Sequence, residues 1–153
     1  MELKAGCAMR EIKFRGRVKN TINPQWVYGI VIPPQYSSWE DWTLFDGERR
    51  WIVDPETVGQ FTGICDSDGN EIYEGDILKT NDEIVMSVCF GKYSGVDEIA
   101  KYRYGFYVHF ASKKFNDIFR KDLAFWTESG CQKIYVICNL FDNPELLKER
   151  EEE

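Results

Sequence analysis

Residues 53–78, VDPETVGQFTGICDSDGNEIYEGDIL, decide the fold. Asp54-Pro55-Glu56 opens a short helical turn: aspartate is a good N-cap, proline suits the first helical position, and glutamate favours the positive end of the dipole. The turn ends near Gly59. Residues 61–65 and 71–73 flank Asp66-Ser67-Asp68-Gly69-Asn70, a hairpin connection in which Gly69 is free to take a positive φ. Glu74-Gly75-Asp76 is a further turn that delivers the chain into Ile77-Leu78. So many turns between short apolar runs read as antiparallel β structure.

The same logic extends both ways. In residues 12–19, Ile12, Phe14 and Val18 alternate with Lys13, Arg15, Arg17 and Lys19, and Gly16 holds the apolar register. A period of two places the four cations on one strand face, which predicts a half-buried strand with a basic exterior. After a break at Asn23-Pro24, residues 26–32 (WVYGIVI) return as a hairpin partner, and Pro33-Pro34 ends the pairing. Asp46-Gly47 predicts a hairpin of residues 43–45 with 51–53, inside a tryptophan-rich loop. Residues 84–90 and 102–110 alternate as strands, whereas 133–141 (KIYVICNLF) is apolar on both faces and predicts a central or barrel-lining strand. Residues 114–126 have helical spacing, and Asn143-Pro144 starts a C-terminal helix over ELLKEREEE.

Together these elements predict a mainly β fold: a small SH3-like barrel with an N-terminal β-hairpin region and one or two short helices. The expected organisation is an extension over 1–8, the hairpin and Trp-rich region over 9–53, the signature hairpin and barrel over 54–142, and a helix or tail over 143–153.

At 153 residues and 43% hydrophobic, with five Trp, eight Tyr and ten Phe, the chain can bury a core without staples. No run of 18 apolar residues exists, so no helical membrane span is expected. Cys7, Cys65, Cys89, Cys131 and Cys138 are odd in number, widely spaced and without a C-x-x-C pair, which fits a reducing cytoplasm. The net charge of −7 hides an asymmetry, with residues 1–20 at +4 and residues 37–83 at −10. A nucleic-acid binder is usually basic throughout, so only a local cationic strip argues for that class.

Chemistry-bearing constellations are sparse. The DSDG text puts Gly69 directly after Asp68 and misses the calcium-loop spacing. With His109 the single histidine, a zinc site lacks ligands, and neither metal nor cofactor is expected. Cys89 or Cys131 with His109 would be the available thiol–imidazole pairing, and Glu56 with Glu74 the carboxylate one, but no glycine elbow or orienting acid accompanies them. The signature residues Asp54, Pro55, Glu56, Gly59, Gln60, Thr62, Gly63, Gly69, Tyr73, Glu74, Gly75 and Asp76 read as bending and tying the chain. A candidate binding surface combines the cations Lys13, Arg15, Arg17 and Lys19 with Tyr102, Arg103, Tyr104 and Tyr107, a mixture suited to stacking and charge. Trp39, Trp42 and Trp51 are candidate interface anchors.

The series IKFRG (12–16), WVYG (26–29), VDPETVGQFTG (53–63) and IYEGDI (72–77) resembles the YopX family of phage and prophage proteins over residues 9–142. Residues 1–8 and the Trp-rich 36–51 segment depart from its pattern. The resemblance implies a β-rich fold with an SH3-like barrel and an origin in a bacterial host, and transfers no catalytic residue. The expected function is a non-enzymatic binding or assembly module, self-associating or contacting a phage or host protein, with no membrane role. Alternatives are a nucleic-acid accessory protein using the basic strand and the aromatics, and an enzyme with carboxylate chemistry.

Overall fold

The computed structural model describes residues 10–95, 101–130 and 132–148. Within them the strands are β1 (Phe14–Arg17), β2 (Trp26–Ile32), β3 (Thr43–Phe45), β4 (Arg50–Ile52), β5 (Gly59–Cys65), β6 (Glu71–Tyr73), β7 (Asp76–Thr80), β8 (Val85–Ser94), β9 (Tyr102–Phe110) and β10 (Ile134–Asn139), with helices α1 (Lys113–Ile118) and α2 (Leu123–Glu128). They build a six-stranded sheet, β4-β3-β2-β1-β5-β6, and a four-stranded sheet, β10-β7-β8-β9, antiparallel throughout. The mainly β class holds. The strands do not close into a barrel, however: β5 and β6 join β1 in the first sheet, which therefore runs across the expected boundary at residue 53.

Local chemistry explains the turns. Asp46 accepts from the backbone N–H groups of Glu48 and Arg49 at 2.8 and 2.7 Å and from Trp51 Nε1 at 2.9 Å, fixing the β3–β4 hairpin. The Arg49 N–H, the Trp51 indole and the Glu48 N–H together hold its carboxyl at about 2. Asp54 accepts from Glu56 N–H at 3.1 Å, and the buried Thr57 hydroxyl that follows accepts from Arg17 N–H at 2.9 Å, stitching this short 3-10 turn to β1. Gly69 takes φ 84° in the β5–β6 connection.

The larger core gathers Leu78, Met86, Val88, Val108, Phe110 and Ile134 of the four-stranded sheet with Leu123 and Trp126 of α2 and Ile72 of β6. A smaller one holds Val27, Leu44 and Val53 inside the curl of the first sheet, where a bridge from Val18 to Val53 folds β4 back toward the end of β1.

Three sequence expectations need correction. β10 is an edge strand, because β7, with Ile77 and Leu78 fully buried, takes the interior position; Ile137 falls at a bulge between Val136 and Cys138 and is 44% exposed. The helix expected over 114–126 is two helices, since the chain between them leaves the helical path to lie against β9, with Val108 N–H donating to Lys121 O at 2.8 Å. The described part of the expected C-terminal helix is a 3-10 turn, Pro144–Leu147, in which Asn143 gives no side-chain cap but donates to Glu145 Oε1 at 3.1 Å. The extension over 1–8 and the tail over 149–153 lie outside the described residues.

The β5–β6 connection clips the two sheets together. Asp66, buried, accepts from Asp68 and Asn70 N–H at 2.9 and 2.8 Å and from Val136 N–H on β10 at 3.0 Å, while Ser67 exchanges bonds with Ile134. Burial pushes the Asp66 carboxyl up, but the Val136 and Asn70 donors outweigh it and hold it below 3.8. A depressed carboxylate stabilises the fold above its unfolded-state value, and that contribution disappears as pH falls through the folded-state one. Asp66→Asn should therefore cost about 1–3 kcal/mol at neutral pH. In urea unfolding, the gap from wild type should shrink as the pH drops below 3.8.

Candidate functional site

Arg15 and Arg17 lie on strand β1 and Lys13 and Lys19 flank it, and the fold gives each of these four candidate cations an acid. Lys13 reaches Glu11 at 3.0 Å and also Glu71; Arg15 meets Asp76 at 2.7 Å, Arg17 meets Asp142 at 3.4 Å, and Lys19 meets Asp41 at 3.4 Å. The basic exterior expected of this strand is corrected at its centre, because Arg15 is only 6% exposed. Its guanidinium lies 4.9 Å from the Trp26 ring and 5.0 Å from the Tyr73 ring, and Nη2 donates to Glu74 O at 3.4 Å. Asp76 is 1% exposed and accepts from Tyr73 N–H at 2.7 Å. Burial raises the Asp76 carboxyl, opposed by Arg15 and that N–H.

Among the described residues, Arg15 Nε and the Tyr73 hydroxyl have no hydrogen-bond partner, and Asp76 Oδ1 is engaged through the ion pair with Arg15. Solvent does not reach these atoms, although a cleft of about 430 Å³ lined by Tyr28, Asn70 and Glu71 opens beside them. The pair works as a charge lock between β1 of one sheet and β7 of the other.

The signature residues wrap this lock. Gly59 lies so close to Glu74 that an added Cβ would sit 2.5 Å from its carbonyl oxygen, and Gln60 O accepts from Glu74 N–H at 3.0 Å. The Thr62 hydroxyl donates to Ile72 O at 2.8 Å, and the next residue, Gly63, has φ 83°. Gly75, with φ 89°, donates to Val88 O and accepts from Leu140 N–H, both at 2.9 Å. Pro55 and Glu56 are exposed in the turn that Asp54 caps, whereas Glu74 is half-buried and burial raises its carboxyl. Among the described residues, no group of three His, Cys, Asp or Glu is placed to hold a metal ion.

The thiol and imidazole are not paired in register. Cys89 stands opposite Tyr107, and His109 opposite Ser87. Burial pushes the Cys89 thiol up and, with Lys121, pushes His109 down. Cys131 lies outside the described residues.

The other four candidates lie on β9, in the second sheet, and split between its two faces. Tyr102 and Tyr104 are 54% and 75% exposed on the face that begins, at the root of the hairpin, with core residues Phe110 and Val108. Their row includes Phe90, 47% exposed, whose ring is 5.5 Å from Tyr104 and 4.9 Å from Phe106, and Lys92, whose Nζ lies 4.2 Å over Tyr102. Strand alternation carried the reading as far as Phe90; it missed Lys92 because Gly91 interrupts the pattern and the strand continues past it to Ser94.

Arg103 and Tyr107 occupy the opposite face. Arg103 donates to Asp122 at 2.7 Å, Tyr93 donates to the same carboxylate at 2.8 Å, and the Tyr93 ring stacks on Tyr107 at 5.0 Å. Burial pushes Asp122 up, but Arg103, Tyr93 and Arg120 outweigh it and hold it low. Between these clamped residues Gly91 faces Gly105, with φ of 145° and 150°. Of the tryptophans, Trp39 is 41% exposed beneath Arg50, while Trp42 and Trp51 pack against the smaller core.

Removing one member of a buried ion pair leaves the other charge uncompensated. Arg15→Met should cost about 3–5 kcal/mol, whereas Lys19→Met, at a solvent-exposed pair, should stay within about 0.5 kcal/mol. Guanidinium unfolding curves of the two variants measure the contrast.

Two comparisons bear on identity. No curated protein matches the chain. A family model described as YopX protein matches residues 13–148, a span that takes in β1, the whole signature and both sheets. By that match the chain belongs to the YopX family.

Proposed function

We propose that this protein is a non-enzymatic binding and assembly module of phage or prophage origin that works in the bacterial cytoplasm and associates with itself. One observation carries the reading: the aromatic row of β8 and β9 continues past the core into solvent as Phe90, Tyr104 and Tyr102. Exposed aromatics in mutual contact are the usual anchors of protein interfaces. A second reading, a nucleic-acid accessory role, draws on Lys92 and Lys101 beside the Tyr102 ring, since bases stack where aromatics and cations alternate. The acids against all four cations on and beside β1 and the net charge of −7 weigh against it.

Light scattering after gel filtration, over a range of concentrations, should give a mass above that of the 17.9 kDa monomer. Phe90→Ser with Tyr104→Ser should return it to monomer without loss of the fold, and high salt should leave the wild-type oligomer intact. A monomer at every concentration overturns the reading. Salt-sensitive binding of an oligonucleotide by that monomer would instead support the second one.

A further inference from the structure

We propose that Tyr104, on the exposed aromatic row of one copy, seats in the apolar hollow between α1 and α2 of a second copy. The inference rests on the self-association reading above and names the surface that the row meets.

The hollow follows from the break between the helices. Because the chain leaves the helical path to bring Lys121 O to Val108 N–H, α1 and α2 do not close on one another, and a cavity of about 300 Å³ stays between them. Its walls are Ile118, Phe119, Phe125 and Trp126. The Trp126 ring meets Phe119 at 5.9 Å and 73° and Phe125 at 5.7 Å and 89°, so the rings stand steeply to one another and offer faces and edges to a further aromatic. The indole N–H is spent on Arg120 O at 2.7 Å. Arg120 and Gln132, the latter bonded through Nε2 to Asp82 at 2.6 Å, give the hollow a polar rim. Such a lining suits one aromatic side chain that carries a polar end.

Exposure, chemistry and charge select the row of a second copy. Tyr104 is the most exposed member of that row, at 75%, and is braced by the Phe90 ring at 5.5 Å and 90°. Its ring matches the walls and its hydroxyl the rim. Lys92 and Lys101, both over the Tyr102 ring, travel with it. At the hollow the basic residues are turned to other work: Arg120 is held on Asp122 at 3.1 Å, Lys121 sits within electrostatic reach of His109, and Lys114 lies over the Phe115 ring at 5.4 Å. Asp117, next to the wall residue Ile118, and Glu128, at the end of α2, are exposed acids to meet the incoming lysines. Packing row against row is the poorer choice, since it would bring the same lysines together and leave the hollow uncovered. The contact joins unlike surfaces, and each copy has one of each to offer.

Tyr104→Ser removes the ring, and Ile118→Lys places a cation in the mouth of the hollow, which the lysines of the row oppose. Both positions are exposed, so both variants should keep the wild-type circular dichroism spectrum. Each should weaken association roughly tenfold or more. Mixed in equal amounts at a concentration where each alone is monomeric, they should pair, because one brings an intact hollow and the other an intact ring; light scattering should show a complex with one copy of each. Ser129→Lys, at another exposed residue lining the hollow, repeats the test should Ile118→Lys alter the fold. A monomeric wild type overturns the self-association reading and this contact with it. A wild-type oligomer that survives both lysine variants, or a mixture that fails to pair, overturns the docking into the hollow and leaves self-association standing.

Discussion

A single buried ion pair holds the architecture in place. Arg15 and Asp76 come from different sheets, and each is removed from water by the other's surroundings: Trp26 and Tyr73 flank the guanidinium, and the Tyr73 N–H caps the carboxylate. Charges so enclosed are tolerated when paired and costly when separated, so they constrain how the sheets can approach. The acid- and glycine-rich signature makes that approach possible. Gly59 lets β5 pass under the Glu74 carbonyl, and Gly75 turns tightly enough to bond both Val88 and Leu140. Specificity of arrangement, more than net stability, is what such a lock contributes.

Local features were the legible part of the sequence. The β2 strand between its prolines, the Asp46-Gly47 hairpin, the Asp54 cap and the positive φ of Gly69 all follow from chemistry within a few residues. What escaped depends on neighbours remote in the chain. Alternation placed Arg15 on a face with Lys13 and Arg17 but could not say that β7 lies across its centre. The apolar residues of β10 suggested an interior strand, whereas β10 lies at the sheet edge, with the connection over 66–67 clipped on its outer side and a bulge that turns Ile137 out. The helix over 114–126 broke because the backbone of β9 needed a partner at Lys121, a demand that helical spacing does not register.

The candidate surface was half legible for the same reason. Composition singled out the tyrosines of β9, and period-two geometry already implied that Tyr102 and Tyr104 face away from Arg103 and Tyr107. Which face meets water was decided by the length of the hairpin relative to the core, a tertiary quantity. Phe90 and Lys92 belong to the exposed row because β8 runs on to Ser94, past the glycine that interrupts its pattern.

Gly91 and Gly105 give that hairpin a seam. Opposite one another and without side chains, they part the root from the exposed end, and the Phe90–Tyr104 contact on one face and the Tyr93–Tyr107 stack with the Asp122 cluster on the other reach across. The outer portion is thus a detachable trim: its composition can drift while the body beneath, secured elsewhere, keeps its shape.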